Sequence, residues 1–192
     1  MGRALVGVLV AVAAAGLGTA YVLVSEPAWY LRIRYPLRYE AIIREHARNY
    51  DLPPALVAAV IYTESKFDPS TRSRAGAIGL MQLLPATAVG IATRTGGGRF
   101  TPNDLFDPEI NVRYGCWYLR NLRRRYRARP NAADLALAAY NAGQANVDRW
   151  LAQTPAGAPV TIRFAETRAY LHRVHDLEGV YAKAYGLSTR SG

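Results

Sequence analysis

From Ala4 to Val24 the chain carries no charged side chain, and only Thr19 and Tyr21 bear a hydroxyl. Those 21 residues predict a helix of about 31 Å at 1.5 Å per residue, against a bilayer hydrocarbon core of roughly 30 Å. A helix apolar on every side for that length is not the ordinary helix of a soluble core. Beyond it the pattern turns amphipathic. Tyr39, Ile42, Ile43, His46 and Ala47 fall at helical spacings, and Asn49-Tyr50-Asp51 closes that segment before Pro53. Pro53 and Pro54 suit the first turn of a second helix, where proline's missing N–H is not needed. Leu56, Val57, Val60 and Ile61 give it an apolar face as far as about Ser65. Residues 66–78, with Pro69, Ser70, Thr71, Ser73 and Gly76, have the composition of a structured loop.

A short helix is expected from Pro85, and Thr95-Gly96-Gly97-Gly98 reads as a flexible connector. Asp107-Pro108-Glu109 is a helix start, with a cap, a proline at the first position and an acid at the positive helix end. The helix it opens carries Ile110, Tyr114, Trp117, Leu122 and Tyr126. Asn131 and Asp134 resemble a capping box opening the run from Ala132 to Tyr140, which Gly143 is placed to end. A last long helix is expected from about Glu166 to Tyr185. No internal repeat and no alternating stretch of strand length is present. The expected fold is mainly α, a single compact helical domain over 39–187. An apolar segment at 1–24 and a juxtamembrane linker at 25–38 precede it, and a tail at 188–192 follows.

Composition sharpens the membrane question without closing it. The start Met1 and Arg3, the alanine-rich run and the small pair Gly18 and Ala20 fit a cleavable signal peptide. Tyr21-Val22-Leu23-Val24 carries the apolar run past that site and favours an uncleaved anchor. Arg32, Arg34 and Arg38 follow the segment, but a positive-inside count loses force before a long folded domain. The whole chain holds 24 basic and 14 acidic residues, a net charge of +10, and of the basic residues only Lys66 and Lys183 are lysine. That balance implies an anionic partner: nucleic acid, membrane surface or wall polymer. A single cysteine, Cys116, excludes an internal disulfide framework and a cysteine-based zinc cluster. It reads as a small buried apolar residue.

The candidate chemistry lies at Glu64, which shares a helical face with Val57 and Ile61. A carboxyl beside aliphatic side chains is desolvated, which disfavours its charged form and raises its pKa. A carboxyl neutral near pH 7 can protonate a leaving group such as a glycosidic oxygen and then return as base. The plainer alternative is a carboxyl that ties down backbone groups at Ser65 or Ser70. Asp68 is four residues further on, but its Asp-Pro setting reads as a turn or cap.

Around Glu64 the chain resembles the catalytic domain of the soluble lytic transglycosylases, which shares the goose-type lysozyme fold within the α+β lysozyme-like superfamily. The resemblance is carried by Glu64-Ser65, Phe67-Asp68-Pro69, Ser73, and Gly76-Ala77-Ile78-Gly79-Leu80-Met81-Gln82. It continues through Pro85-Ala86-Thr87-Ala88, Leu105-Phe106-Asp107-Pro108 with Asn111 and Gly115, Ala139-Tyr140-Asn141-Ala142-Gly143, and Glu166-Thr167-Arg168-Ala169-Tyr170. Each string is short, and their order and spacing make the signal. The match covers roughly residues 39–185.

The resemblance implies that Glu64 is the sole acid/base catalyst and that no metal or other cofactor is needed. It places Ser73, Met81, Gln82, Tyr140, Asn141, Glu166 and Tyr170 against substrate. Ser73 would orient the reacting sugar, Gln82 would line the groove, Tyr140 would lie near Glu64, and Glu166 and Tyr170 would form a polar wall. Packing, capping or backbone roles remain open for each, and for Met81 packing is favoured. The implied reaction is cleavage of peptidoglycan between N-acetylmuramic acid and N-acetylglucosamine, leaving a 1,6-anhydro end. The alternatives are a hydrolytic goose-type muramidase and a catalytically silent wall-binding or scaffold module.

Arg120, Arg123, Arg124, Arg125, Arg127 and Arg129 crowd one helix end, which complements the helix dipole. As a binding patch they suit anionic wall polymer or lipid headgroups. No nucleic-acid module accompanies them, so no nucleic-acid partner is expected. His172 and His175 lack the further ligands of a metal site. A membrane-anchored protein with an extracytoplasmic catalytic domain is expected, or a secreted one if the leader is cleaved.

Overall fold

The computed structural model describes residues 2–191. Helix α1, Gly2–Ser25, buries none of its apolar span against the protein, and among the described residues it is the one helix long and apolar enough to cross a membrane. Glu26 and Pro27 break it. Helix α2, Ala28–Arg34, then forms inside the stretch expected as linker and buries Leu31. It docks on the end of the last helix, where Arg32 Nε donates to the Ala184 carbonyl at 2.7 Å.

The helical domain then runs through α3 (Glu40–Asn49), α4 (Pro54–Ser65), α5 (Pro85–Thr95) and a 3-10 turn (Pro102–Phe106). It continues with α6 (Pro108–Tyr126), α7 (Ala132–Ala142), α8 (Gln144–Ala152) and α9 (Ala165–Tyr185). No strand occurs among the described residues, and the β component is limited to bridges pairing Ile78 with Arg72 and with Leu83. The α-helices from Glu40 to Tyr126 form where the spacing predicts them, and the 3-10 turn is an addition to that expectation. Asp107 caps α6 by accepting from the Glu109 and Ile110 amides at 2.8 and 3.2 Å. Two details differ. Asn131 does not cap α7; its side chain pairs with both backbone groups of Val160, and Asp134 turns to His175. Helix α8 is an additional element that buries Val147 and Trp150. Gly143 separates α7 from α8 at φ +86°, a backbone open to glycine and strained for other residues.

Helix α4 is the central rod. Its residues from Ala55 to Ile61 are all buried, and each large aliphatic among them contributes about 1.5–3 kcal/mol relative to exposure. It packs between α3 and α9 in a core that also takes in α6 and α7. The α4 and α9 directions oppose one another: the Ala55 amide donates to the Ser188 carbonyl at one end, and Glu64 meets Tyr170 at the other. A second, smaller cluster (Ile78, Leu83, Ala88, Ile91, Ala92, Leu105 and Tyr114) joins the 66–84 loop to α5, the 3-10 turn and α6. Tyr118 and Tyr140 pack against both clusters. The C-terminal end of α4 opens beside this seam.

Candidate active site

Glu64 sits one residue before the end of α4, half-buried. The chain turns sharply after it because Lys66 and Phe67 both adopt left-handed backbone, with φ of 52° and 65°. Fully buried Phe67 holds that turn to the core. Ser65, also buried, donates its hydroxyl to the carbonyl of Leu80 at 2.8 Å, stitching the end of α4 to the loop opposite. The Tyr170 hydroxyl donates to Glu64 Oε1 at 2.9 Å.

Burial pushes the Glu64 carboxyl up to about 7, and the Tyr170 hydrogen bond holds it back from rising further. No charged neighbour and no second carboxylate contributes to that shift. Asp68 is spent on a turn, accepting from the Ser70 amide at 2.9 Å and the Ser70 hydroxyl at 2.6 Å, and its carboxyl is held below the usual range. A single carboxyl therefore titrates near neutrality, able to give a proton and take it back.

The opposite side of the site is a loop that needs a scaffold, since it has almost no secondary structure of its own. Asn111, wholly buried on α6, supplies it. Its Oδ1 accepts from the Met81 amide at 2.8 Å, and its Nδ2 donates to the carbonyls of Ile78 at 2.9 Å and Leu105 at 2.8 Å. Gly79 makes this approach possible: its φ is +79°, and a Cβ there would collide with Asn111 Nδ2 and the Leu105 carbonyl. Gly115 leaves the matching space for the Met81 side chain.

The residues expected around Glu64 divide by what they do. Tyr140 donates to the Met81 carbonyl at 2.7 Å, stacks at a tilt on Tyr118 with 5.5 Å between rings, and feels the charge of Glu64. Tyr170 is buried against Glu64 itself. Gln82, at φ +47°, spends its side-chain amide on the carbonyls of Thr71 and Gly79. Ser73 accepts from the Ala77 amide at 3.0 Å and closes the loop, with its hydroxyl proton left to donate. Met81 has a fully buried side chain, so its contribution is packing and the two backbone groups already named. Asn141 is exposed and accepts from Thr167 Oγ1 at 2.9 Å, joining α7 to α9. Glu166 is exposed in the first turn of α9, one helical turn before Tyr170. The hub role of Asn111 is absent from the local pattern. The one sign of it is a polar residue on the helical face it shares with Tyr114 and Gly115.

Among the described residues no group of three or more His, Cys, Asp or Glu side chains is arranged for a metal ion. Cys116 is buried, and burial pushes its thiol up, so it offers no nucleophile. The arginine cluster is split. Arg125 pairs with Asp148 at 2.7 Å, whereas Arg120, Arg123, Arg124 and Arg127 line a cleft of about 250 Å³ with Asp51 and Leu52. That cleft lies by the start of α4, at the other end of the rod from Glu64.

Comparison with known proteins places this geometry. The family model of the Transglycosylase SLT domain matches residues 41–161. The soluble lytic murein transglycosylase of Escherichia coli strain K12 is 31% identical over 158 residues, 79% of this chain and 24% of that protein. That of Salmonella typhimurium is 31% identical over 163 residues, 82% of this chain and 25% of that protein. Among solved structures, an inactive mutant of the lytic transglycosylase Slt from Pseudomonas aeruginosa superposes with a TM-score of 0.72 at 31% identity, covering 85% of this chain and 28% of that one. A 70 kDa soluble lytic transglycosylase in complex with bulgecin A gives a TM-score of 0.74 at 28% identity, covering 85% and 27%. This chain thus spans about a quarter of the length of the relatives it matches.

Proposed function

The chain belongs to the Transglycosylase SLT domain family, and from that premise we propose that it is a peptidoglycan lytic transglycosylase in which Glu64 is the acid and then the base. The observation that carries the reading is the lone carboxyl, raised to about 7 by burial and hydrogen-bonded by Tyr170, with no second carboxylate acting on it. Common glycosidases need two carboxyl groups, one as acid and one as nucleophile or base. A single-carboxyl site suits a reaction in which the substrate supplies the second group.

In that reaction protonated Glu64 gives its proton to the oxygen joining N-acetylmuramic acid to N-acetylglucosamine, and the bond from that oxygen to muramic C1 breaks. The substrate's own N-acetyl oxygen supports the positive charge at C1. Carboxylate Glu64 then takes the proton of the muramic C6 hydroxyl as that oxygen bonds to C1. A 1,6-anhydro ring closes and the carboxyl is again protonated. Holding an internal nucleophile in reach replaces an ordered water. Tyr140 and the 73–82 loop, with Ser73 and Gln82, would face the sugars, and Asn141 and Glu166 would lie at the outer edge.

The substrate is read as peptidoglycan glycan strands, and the catalytic domain as extracytoplasmic. The reading of α1 as an uncleaved membrane anchor is supported by its length and by an apolar span that the packed domain leaves unburied. The four arginines of the Asp51 cleft are read as a seat for anionic wall polymer or lipid headgroups. Digestion of purified peptidoglycan followed by mass analysis tests the reaction. Products one water lighter than reducing-end muropeptides are expected, and Glu64→Gln should produce none. Reducing-end products alone would mean hydrolysis and would overturn the proposal.

A further inference from the structure

Helix α2 has one side turned to the protein and one that the protein leaves bare. Leu31 is buried, while Trp29 and Ile33 remain 56% and 74% exposed. At 3.6 residues per turn these two lie on one stripe, each about 160° around the helix from Leu31. Tyr30 and Arg34 form the neighbouring stripe, with Arg34 Nη1 donating to the Tyr30 hydroxyl at 3.2 Å. The same short stretch carries Arg32 and Arg34 against one carboxylate, Glu26, and Lys183 reaches its start from α9. Single exposed apolar residues need no explanation. A tryptophan and an isoleucine on one outward stripe, interleaved with arginines and beginning four residues after helix α1, form a pattern with a specific partner. Tryptophan and tyrosine favour the headgroup layer, where an apolar ring and a polar edge are both satisfied. Arginine and lysine stems lie along apolar surface while their charges reach anionic headgroups.

The junction is also stiff. Lys183 Nζ donates to the Ser25 carbonyl at 2.8 Å, capping the C-terminal end of α1 from within α9. Arg32 is bonded to Ala184. The Tyr185 hydroxyl accepts from the Leu37 amide and donates to the Tyr35 carbonyl, each at 3.0 Å. One turn of α9 thus grips residues 25–37. Lys183 lies 13 residues beyond Tyr170 on the same unbroken helix, about 20 Å along its axis.

We propose that the outward stripe of α2 is a membrane platform: Trp29 and Ile33 enter the headgroup layer of the bilayer that α1 crosses, with Arg32, Arg34 and Lys183 on its anionic phospholipid. The platform rests on the reading of Gly2–Ser25 as an uncleaved anchor. Through α9 it sets the catalytic carboxyl at a fixed station relative to the bilayer, so the enzyme reaches glycan strands at one distance from the membrane and does not sweep a range.

The test uses the full chain in vesicles of phosphatidylcholine and phosphatidylglycerol, carrying a nitroxide on Ile33→Cys or on Ala169→Cys. Buried Cys116 does not compete for the label. The label at position 33 should be shielded from an aqueous nickel chelate and open to oxygen, and the label at 169 should be open to nickel. Adding Trp29→Ser and Arg34→Glu, both at exposed positions, should return the label at 33 to nickel accessibility severalfold. A label at 33 as open to nickel as that at 169, on a chain that mass spectrometry shows intact in carbonate-washed vesicles, overturns the platform and leaves the anchor standing. Loss of the first residues, or release by carbonate, overturns the anchor and the platform together.

Discussion

Replacing Glu64 by glutamine should make the protein more stable, and only above a defined pH. In the unfolded chain the carboxyl titrates near 4.5, whereas in the fold burial raises it to about 7. Below 4.5 both states hold the proton and the group costs nothing. Between 4.5 and 7 the unfolded state releases a proton that the native state keeps, so stability falls as pH rises through that window and levels off above it. At about 1.4 kcal/mol per unit the displacement from 4.5 to about 7 corresponds to roughly 3.5 kcal/mol. The half-buried carboxyl keeps an edge to solvent, which reduces the expected figure to about 1–3 kcal/mol. Glutamine has the same shape, can accept the Tyr170 hydroxyl proton through its own oxygen, and never ionises. For a domain of this size the gain should raise Tm by about 3–10 °C. Thermal unfolding of both proteins in the same detergent, followed from pH 4 to pH 9, checks it. The curves should coincide at the acid end and diverge by pH 8. A pH-independent gap, or a glutamine variant less stable at pH 8, would refute a carboxyl strained by burial and remove the basis for a neutral acid at physiological pH.

Tyr170→Phe removes the hydrogen bond that restrains Glu64, so the alkaline limb of the kcat/KM profile on soluble glycan should move to higher pH; a move to lower pH would count against the pairing. Asn111→Ala leaves the Met81 amide and the Leu105 carbonyl without partners in a buried setting and takes one of two donors from the Ile78 carbonyl, at a cost of about 3 kcal/mol in urea unfolding. Gly79→Ala forces a side chain into left-handed backbone against Asn111 and should destabilise by at least about 2 kcal/mol. A loss below about 0.5 kcal/mol in either variant would mean the loop is held by other contacts. Tyr140→Phe frees one carbonyl and should cost about 1–2 kcal/mol, read from the same unfolding curves.

The helices were legible where one stripe of side chains decides the matter. Proline at the head of α4, α5 and α6 and apolar residues at helical spacing are local signals, and so is the placing of Glu64 beside Val57 and Ile61. Helix α2 was not legible because its seven residues hold one buried side chain, and its order comes from α9, some 150 positions later. Asn131 shows the same limit: its spacing from Asp134 suggests a local cap, but a backbone 29 residues away competes for the side chain and wins. At the site, the identity of the acid was readable and the means of supporting it was not. Tyr170 and Asn111 act through contacts 106 and about 30 residues distant in sequence, which no periodicity reports.

That distance has a consequence in time. Glu64 and Tyr170 are separated by 106 positions, which at about 5–20 residues per second is roughly 5–20 seconds of synthesis. Until α9 exists there is no wall to close over the carboxyl, and a solvated glutamate at neutral pH has already given its proton to water. On the proposed reading, the growing chain therefore carries its acid solvated and ionised. The end of α4 gains its α9 packing only with the last long helix to be made, so a chain cut short before it should lack the neutral carboxyl the proposed reaction needs.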